Sequence, residues 1–209
     1  MKREFLFVLL AVAMFVCSCT EPSPEGPVPD DDTEVPVEAK YKAGEYYKQG
    51  LAEGIIAYVD ESGEHGLLIS MDEGYEQGST DYIMLIVHGG EFSRENGARN
   101  TEYIKSQENW EELYPAVVWC DNKNALGLSS WYLPAPAELA NAALNIEAIN
   151  ATLVEKGCEP IAMGVNDAYW SSEEFGVQGA YSISFATGDF ADYGHDKKAY
   201  NRVRAMRKF

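Results

Sequence analysis

Positive charge is scarce in this chain: 16 Lys and Arg stand against 34 Asp and Glu, a net charge of −18. A surface of that sign repels a phosphate backbone, which argues against nucleic acid as a partner. Cysteine is sparse too, four in 209 residues, and two of them, Cys17 and Cys19, sit near the start. The apolar run at residues 5–16 falls short of the roughly 20 residues that a membrane-spanning helix needs. No Gly-x-Ser-x-Gly nucleophile turn occurs, and no acid–base pair or metal cluster has a recognisable spacing. These gaps predict a protein that is not an enzyme and needs no cofactor or metal.

What is present begins with Met1-Lys2-Arg3, the apolar run, and Val16-Cys17-Ser18-Cys19. A basic flank, a short apolar stretch and a small residue before a cysteine form a secretory signal, here residues 1–18. The ending resembles a bacterial lipobox, which implies cleavage before Cys19 and lipid on its sulfur. The chain is then tethered to a membrane through its first mature residue. Thr20 is not the Asp that favours inner-membrane retention in similar lipoproteins, so the resemblance implies the outer membrane. Glu21, Glu25 and Asp30-Asp31-Asp32 loosely match the acidic signals that send some lipoproteins to the cell surface. Residues 19–40 are dense in proline and acid and cannot offset their ordering entropy by burial. Extended at about 3.1 Å per residue, they form a tether of up to roughly 60 Å.

Residues 41–209 are enough for one domain of ordinary size. Strands are expected at residues 41–47, 54–60 and 66–71, the last two joined by a turn at Glu61-Ser62-Gly63-Glu64-His65, and an apolar segment follows at 82–87. A helical region over about 100–121 breaks at Pro115. Leu139, Ala143, Ile146 and Leu153 recur at helical spacing and predict one helix from Pro136 to a stop at Lys156-Gly157. Tyr181, Ile183 and Phe185 alternate with serines as a half-buried strand. Val203, Ala205 and Phe209 share a face opposite Arg202, Arg204 and Lys208 in a final strand.

The later motifs run in a specific order: Tyr114-Pro115-Ala116, Trp119-Cys120, Trp131-Tyr132-Leu133-Pro134 into Glu138-Leu139, Tyr169-Trp170-Ser171-Ser172-Glu173, then Val203-Arg204-Ala205-Met206-Arg207. Together they resemble the Lcl C-terminal domain family and the similar major paralogous domains of bacterial lipoproteins. The match is good over residues 100–209 and weak over 41–99. The resemblance implies an α+β fold of the C-type-lectin-like kind shared with formylglycine-generating enzymes: a twisted mixed sheet, two flanking helices and long loops. Relatives are mostly adhesins or binding modules, some recognising glycosaminoglycans. Two positions depart from the pattern: Ala135 replaces a capping Ser or Thr, and Cys158 replaces a second glycine.

Cys120 and Cys158 are the only cysteines of the body, and outside the cytosol such a pair is a disulfide candidate. Trp131 and Trp170 are read as buried packing residues. Segments 164–178 and 187–200, read as late loops, supply the ligand-binding candidates Tyr169, Glu174, Asp189, Asp192, Tyr193, His195 and Lys197, aromatic rings mixed with polar groups. Glu159-Pro160 and Asn166-Asp167 match only fragments of lectin calcium motifs. His88-Gly89-Gly90 reads as a turn, and the sequon at Asn150 falls on a helix. The bases crowded into the last thirteen residues pair with the acidic surface or hold an anionic ligand. The expected role is an outer-membrane, surface-facing lipoprotein that binds a glycan or protein; the alternative is an assembly subunit of an envelope or fimbrial complex.

Overall fold

The computed structural model describes residues 39–85, 92–124, 130–186 and 193–209. The first three strands, β1 (Tyr46–Gln49), β2 (Ala52–Val59) and β3 (Gly66–Ile69), form an antiparallel meander; β2 and β3 lie close to the expected ranges, whereas β1 begins five residues later than expected, after the turn at Gly44. Gln49 pairs with Ala52, so only Gly50 and Leu51 make the turn between β1 and β2, and Gly50 takes φ 60°. Glycine at the first central position suits a two-residue hairpin turn that side chains resist. Along β2, Ile55 and Ala57 enter one apolar cluster while Ile56 enters another. This strand is therefore buried on both faces.

Helices α1 (Gly97–Lys105), α2 (Trp110–Leu113) and α3 (Pro115–Asp121) occupy the first helical region, with Pro115 opening the third. The single helix expected after Pro136 is instead two, α4 (Pro136–Ala143) and α5 (Ile146–Glu155). The Asn145 side chain causes a long-range tie at the break: its Nδ2 donates to the carbonyl of Ala57 on β2 at 3.1 Å. The stop at the far end is as expected. Gly157 takes φ 72°, its N–H donates to Val154 O, and the Cys158 N–H donates to Leu153 O at 2.8 Å. That bond pattern closes a helix with a left-handed residue. Leu139, Ile149 and Leu153 are buried against Ile55 and Ile69, each burial stabilising by about 1.5–3 kcal/mol.

Strand β4 (Gly74–Gln77) lies at one edge of a second sheet with β5 (Tyr169–Glu174), β6 (Gly179–Ile183), β7 (Tyr193–Asp196) and β8 (Tyr200–Val203). Its order is β4-β8-β5-β6-β7, antiparallel except that β5 and β8 run parallel. The first sheet is completed by β9 (Met206–Lys208) and has the order β1-β2-β3-β9. The architecture is α+β, with two open sheets in place of one and helices packed on both. Trp170 and Tyr169, neighbours on β5, enter opposite clusters, and both are fully buried. Of the apolar segment expected at 82–87, residues 82–84 are not strand and Leu85 is buried, while 86 and 87 lie outside the described residues.

Glu138 accounts for the missing cap at Ala135. It is buried at the third position of α4, where its carboxylate accepts the N–H groups of Ala135 at 2.8 Å and Gly97 at 3.1 Å and the Tyr132 hydroxyl at 2.8 Å. One side chain thus serves the first turns of two helices. Gly97 has to be glycine, because a Cβ would sit 2.5 Å from Ala135 N and Leu133 O.

Burial raises the Glu138 carboxyl above its ordinary 4.5, against the opposing pull of its backbone donors and Tyr132. A raised carboxyl stabilises the fold fully below the unfolded value, and that contribution fades as pH rises through the folded one. The unfolding free energy of the native chain minus that of Glu138→Gln, measured in urea, is expected to fall from about pH 4.5 toward neutrality. A flat or rising difference would contradict this reading.

Candidate functional site

Strands β3 and β4 face β9 and β8 along one antiparallel ribbon that passes from the first sheet into the second. Ile69 pairs with Met206 and Gly74 with Val203, so four residues on one strand, 70–73, lie opposite two on the other, Arg204 and Ala205. Such an interruption breaks the ladder and re-aims side chains. Ser70 bridges it, donating its N–H to Ala205 O at 2.9 Å and accepting the Ala205 N–H on Oγ at 3.1 Å.

The Arg204 guanidinium fills the gap. It is fully buried and donates to the carbonyls of Ser70 at 3.0 Å, Met71 at 2.9 Å and Glu159 at 2.7 Å, while Nε reaches Glu73 at 3.2 Å. The sequence pattern had turned this arginine outward. It lies inside because the chain changes sheets at Arg204, where neither face of the strand looks to solvent.

Glu73 extends the network. Its carboxylate accepts from Arg202 and from the Tyr169 hydroxyl at 2.7 Å; Arg202 Nε reaches Asp167 at 2.9 Å, and the Ala162 N–H donates to the Tyr169 oxygen at 2.8 Å. Above these ties opens a groove of about 850 Å³, walled by residues 70–73, Glu53, Lys123, Trp131, residues 158–160, Ala162 and Arg202. Lys123 pairs with Asp72 and stands 3.9 Å above the Trp119 ring. On the neighbouring surface Tyr75 and Tyr200 stack with ring centroids 5.9 Å apart and planes 26° apart, 64% and 53% exposed. Tyr75 pairs in register with Arg202, so this platform adjoins the groove.

Most of the candidates from the late segments lie elsewhere. Segment 164–178 contains the central strand β5, so Tyr169 is a core residue, and burial with Glu73 beside it pushes its hydroxyl upward in pKa. Glu174 and Lys197 form an internal ion pair at 2.5 Å; Lys197 also donates to Ile83 O, and Glu174 accepts from Leu85 N. Burial pulls the Lys197 ammonium below its ordinary range, against the opposing pull of Glu174. These three are interior residues, not loop groups. His195 is half-buried, bonded through Nδ1 to Ser182 Oγ and edge-on to Trp170, beside a cavity of about 280 Å³ lined by Asn166, Asp167, Ser182 and Ser184. Tyr193 begins β7. Asp189, Asp192, Cys19 and His88-Gly89-Gly90 lie outside the described residues.

The disulfide is not formed. Cys120 is a buried free thiol in the cluster of Trp170, and Cys158 is a free thiol packed against the other cluster at the end of α5. Their positions follow from α3 and α5 ending against different cores. Burial raises the Cys120 thiol well above its usual range, which leaves it protonated. Asn150 is tied to the backbone of Ile161 on both sides of its amide. Among the C-terminal bases, Lys197, Lys198, Arg202 and Arg204 each carry an acidic partner. Among the described residues no group of three His, Cys, Asp or Glu is placed to hold a metal ion.

Sequence reasoning overlooked Asp72, Glu73, Tyr75, Tyr200 and the role of Arg204. A usable signal was the run Ser70-Met71-Asp72-Glu73, where two acids follow directly on the apolar end of β3 and precede Gly74.

No family model matches the chain, and no curated protein matches it significantly. Among solved structures it is similar to a fimbrial protein from Bacteroides ovatus, 15% identical over 68% of this chain and 35% of that one, with a TM-score of 0.49. The chain therefore spans about a third of that protein's length.

Arg204→Met leaves three carbonyls, that of buried Ser70 among them, without their donor and removes one partner of Glu73. The expected loss is about 3 kcal/mol or more in urea unfolding, with Arg204→Lys recovering only part because one ammonium cannot reach all four acceptors. A loss under about 1 kcal/mol for the methionine variant would show that the guanidinium does not hold the interruption.

Proposed function

We propose that this chain is a lipid-anchored recognition module of the bacterial outer envelope, held by Cys19 on its acidic, proline-rich tether and binding a glycan or protein through the groove at the ribbon interruption. The observation that carries the reading is that groove: about 850 Å³ of open space whose walls are fixed by buried ties, from Arg204 to three carbonyls and from Glu73 to Arg202 and Tyr169. A ligand meets walls that need little further ordering, which lowers the entropic cost of binding. The lining charges of Asp72, Glu73, Lys123 and Arg202 already engage one another, an arrangement that suits recognition better than proton transfer, where a group must give or take a proton at a substrate. The lipobox-like ending at Cys19 and the motif order similar to Lcl C-terminal domains support the envelope setting. Fold likeness by itself does not assign the ligand.

The test is photocrosslinking in intact cells, with a crosslinking residue placed at Asp72 on the groove and, as control, at exposed Glu111 on α2. Adducts are expected from position 72 and not from 111, together with acyl label on the native chain that Cys19→Ala removes. Carbohydrate adducts assign the groove to a glycan; protein adducts assign it to assembly with an envelope or fimbrial subunit. Equal yields from both positions, no adduct from 72, or a native chain without acyl label would overturn the proposal.

A further inference from the structure

Among the described residues several surfaces have the shape to hold something, among them the groove with its tyrosine platform, the small cavity beside His195, and a second groove of about 610 Å³ near Phe209 and Lys208. The first combines a cleft with bare aromatic rings. By register, Tyr75 stands opposite Arg202 and Gln77 opposite Tyr200, so these four side chains share one face of the β4–β8 pair. Two rings stacked on each other each cover one face and leave the other to solvent, and both tyrosines are more than half exposed. Tyr75 on the edge strand β4 and Tyr200 on its neighbour β8 thus form one contiguous exposed aromatic surface beside a cleft, the kind of feature that marks a binding site.

Charge narrows the occupant. The acids lining the groove are Glu53, Asp72, Glu73 and Glu159, and the bases are Lys123 and Arg202. Both bases are engaged: Lys123 by Asp72, and Arg202 by Glu73 and Asp167. A sulfated or uronic-acid chain would have to break those pairs and approach a protein of net charge −18. Glu53, Asp72 and Glu73 are likewise held, by Lys48, by Lys123 and by Arg202 with Arg204, so a cationic peptide would have to break those pairs to reach more than the Glu159 carboxylate. Such a lining offers hydrogen-bonding groups in fixed positions, most of its charges already paired. Hydroxyl groups, which both donate and accept, match it.

Resting on the recognition role proposed above, we infer that the ligand is a neutral oligosaccharide, one sugar ring lying against Tyr75 or Tyr200 and the chain continuing past Arg202 into the groove. The groove volume lies within the roughly 300–1,000 Å³ typical of ligand sites, and the platform lengthens it.

The test uses the full chain in detergent, titrated calorimetrically with cellohexaose, xylohexaose, mannohexaose and chitohexaose, and in parallel with a heparin hexasaccharide and hexalysine. At least one neutral hexasaccharide is expected to bind. Tyr75→Ala and Tyr200→Ala, which remove exposed rings and leave the melting temperature unchanged, are each expected to weaken that binding about tenfold. Raising salt to about 0.5 M should change the affinity by less than about twofold, because no charge is neutralised on binding. The inference is overturned if no neutral sugar binds, if heparin or hexalysine binds as tightly as the best of them, or if both tyrosine variants bind like the native chain. Heparin or hexalysine binding with the Asp72 crosslinks intact would remove the neutral sugar and leave the recognition role standing. Loss of the Asp72 crosslinks would remove the role itself.

Discussion

The buried guanidinium of Arg204 is the constraint on which the rest of the described structure turns. Two sheets share one antiparallel ribbon, and where the ribbon passes between them four residues oppose two. A gap of that kind leaves backbone carbonyls without ladder partners inside the protein, each costing free energy if unpaired. Arg204 supplies two of the missing donors, to Ser70 and Met71, and adds a bond to the Glu159 carbonyl and a charge for Glu73 from one planar group. Lysine, with a single ammonium, has no comparable reach. An isolated buried cation would be strongly unfavourable, and it is the combination of Glu73 and three carbonyls that makes this one tolerable.

From that tie follows the shape of the surface. Residues 70–73 are pushed out of the ladder and become one wall of the groove, while the Glu159 carbonyl draws the segment after α5 into another. Tyr169 links Glu73 to Ala162 beneath them. The residues that face the groove rest on a network buried below it, which fixes their positions without their having to be buried themselves. The motifs of the Lcl resemblance lie in this framework more than on the groove surface. Ser172 N–H donates to Pro134 O at 2.8 Å, Tyr132 bridges to Met206, and Trp170 donates its ring N–H to Glu76 O. They hold the sheets and helices in register.

Local pattern was enough for much of the fold. The strands around Ile55 and Leu68, the Pro115 helix start and the Lys156-Gly157 stop are written in spacing and turn chemistry, and all lie close to where those signals put them. The break at Asn145 was hidden because its cause is a bond to Ala57, 88 residues away in sequence. Likewise the segment around Tyr169 has the rings, acids and serines of an exposed loop. Its partners Glu73, Ala162 and Phe185 convert it into the middle strand of its sheet, a strand whose two faces are both buried. Arg204 was misplaced for a related reason: alternation predicts an outward residue only while a strand stays in one sheet. The platform escaped notice because Tyr75 and Tyr200 are 125 positions apart and meet only through β4–β8 pairing.

Hydrogen exchange resolved to single amides, comparing the native chain with Arg204→Met, tests most directly whether one guanidinium holds the crossing between the sheets. The account predicts that the Ser70 and Ala205 amides lose most of their protection in the variant while Ile55 and Ile56 in β2 keep theirs. Unchanged protection at Ser70 and Ala205, or an equal loss across both sheets, would contradict it.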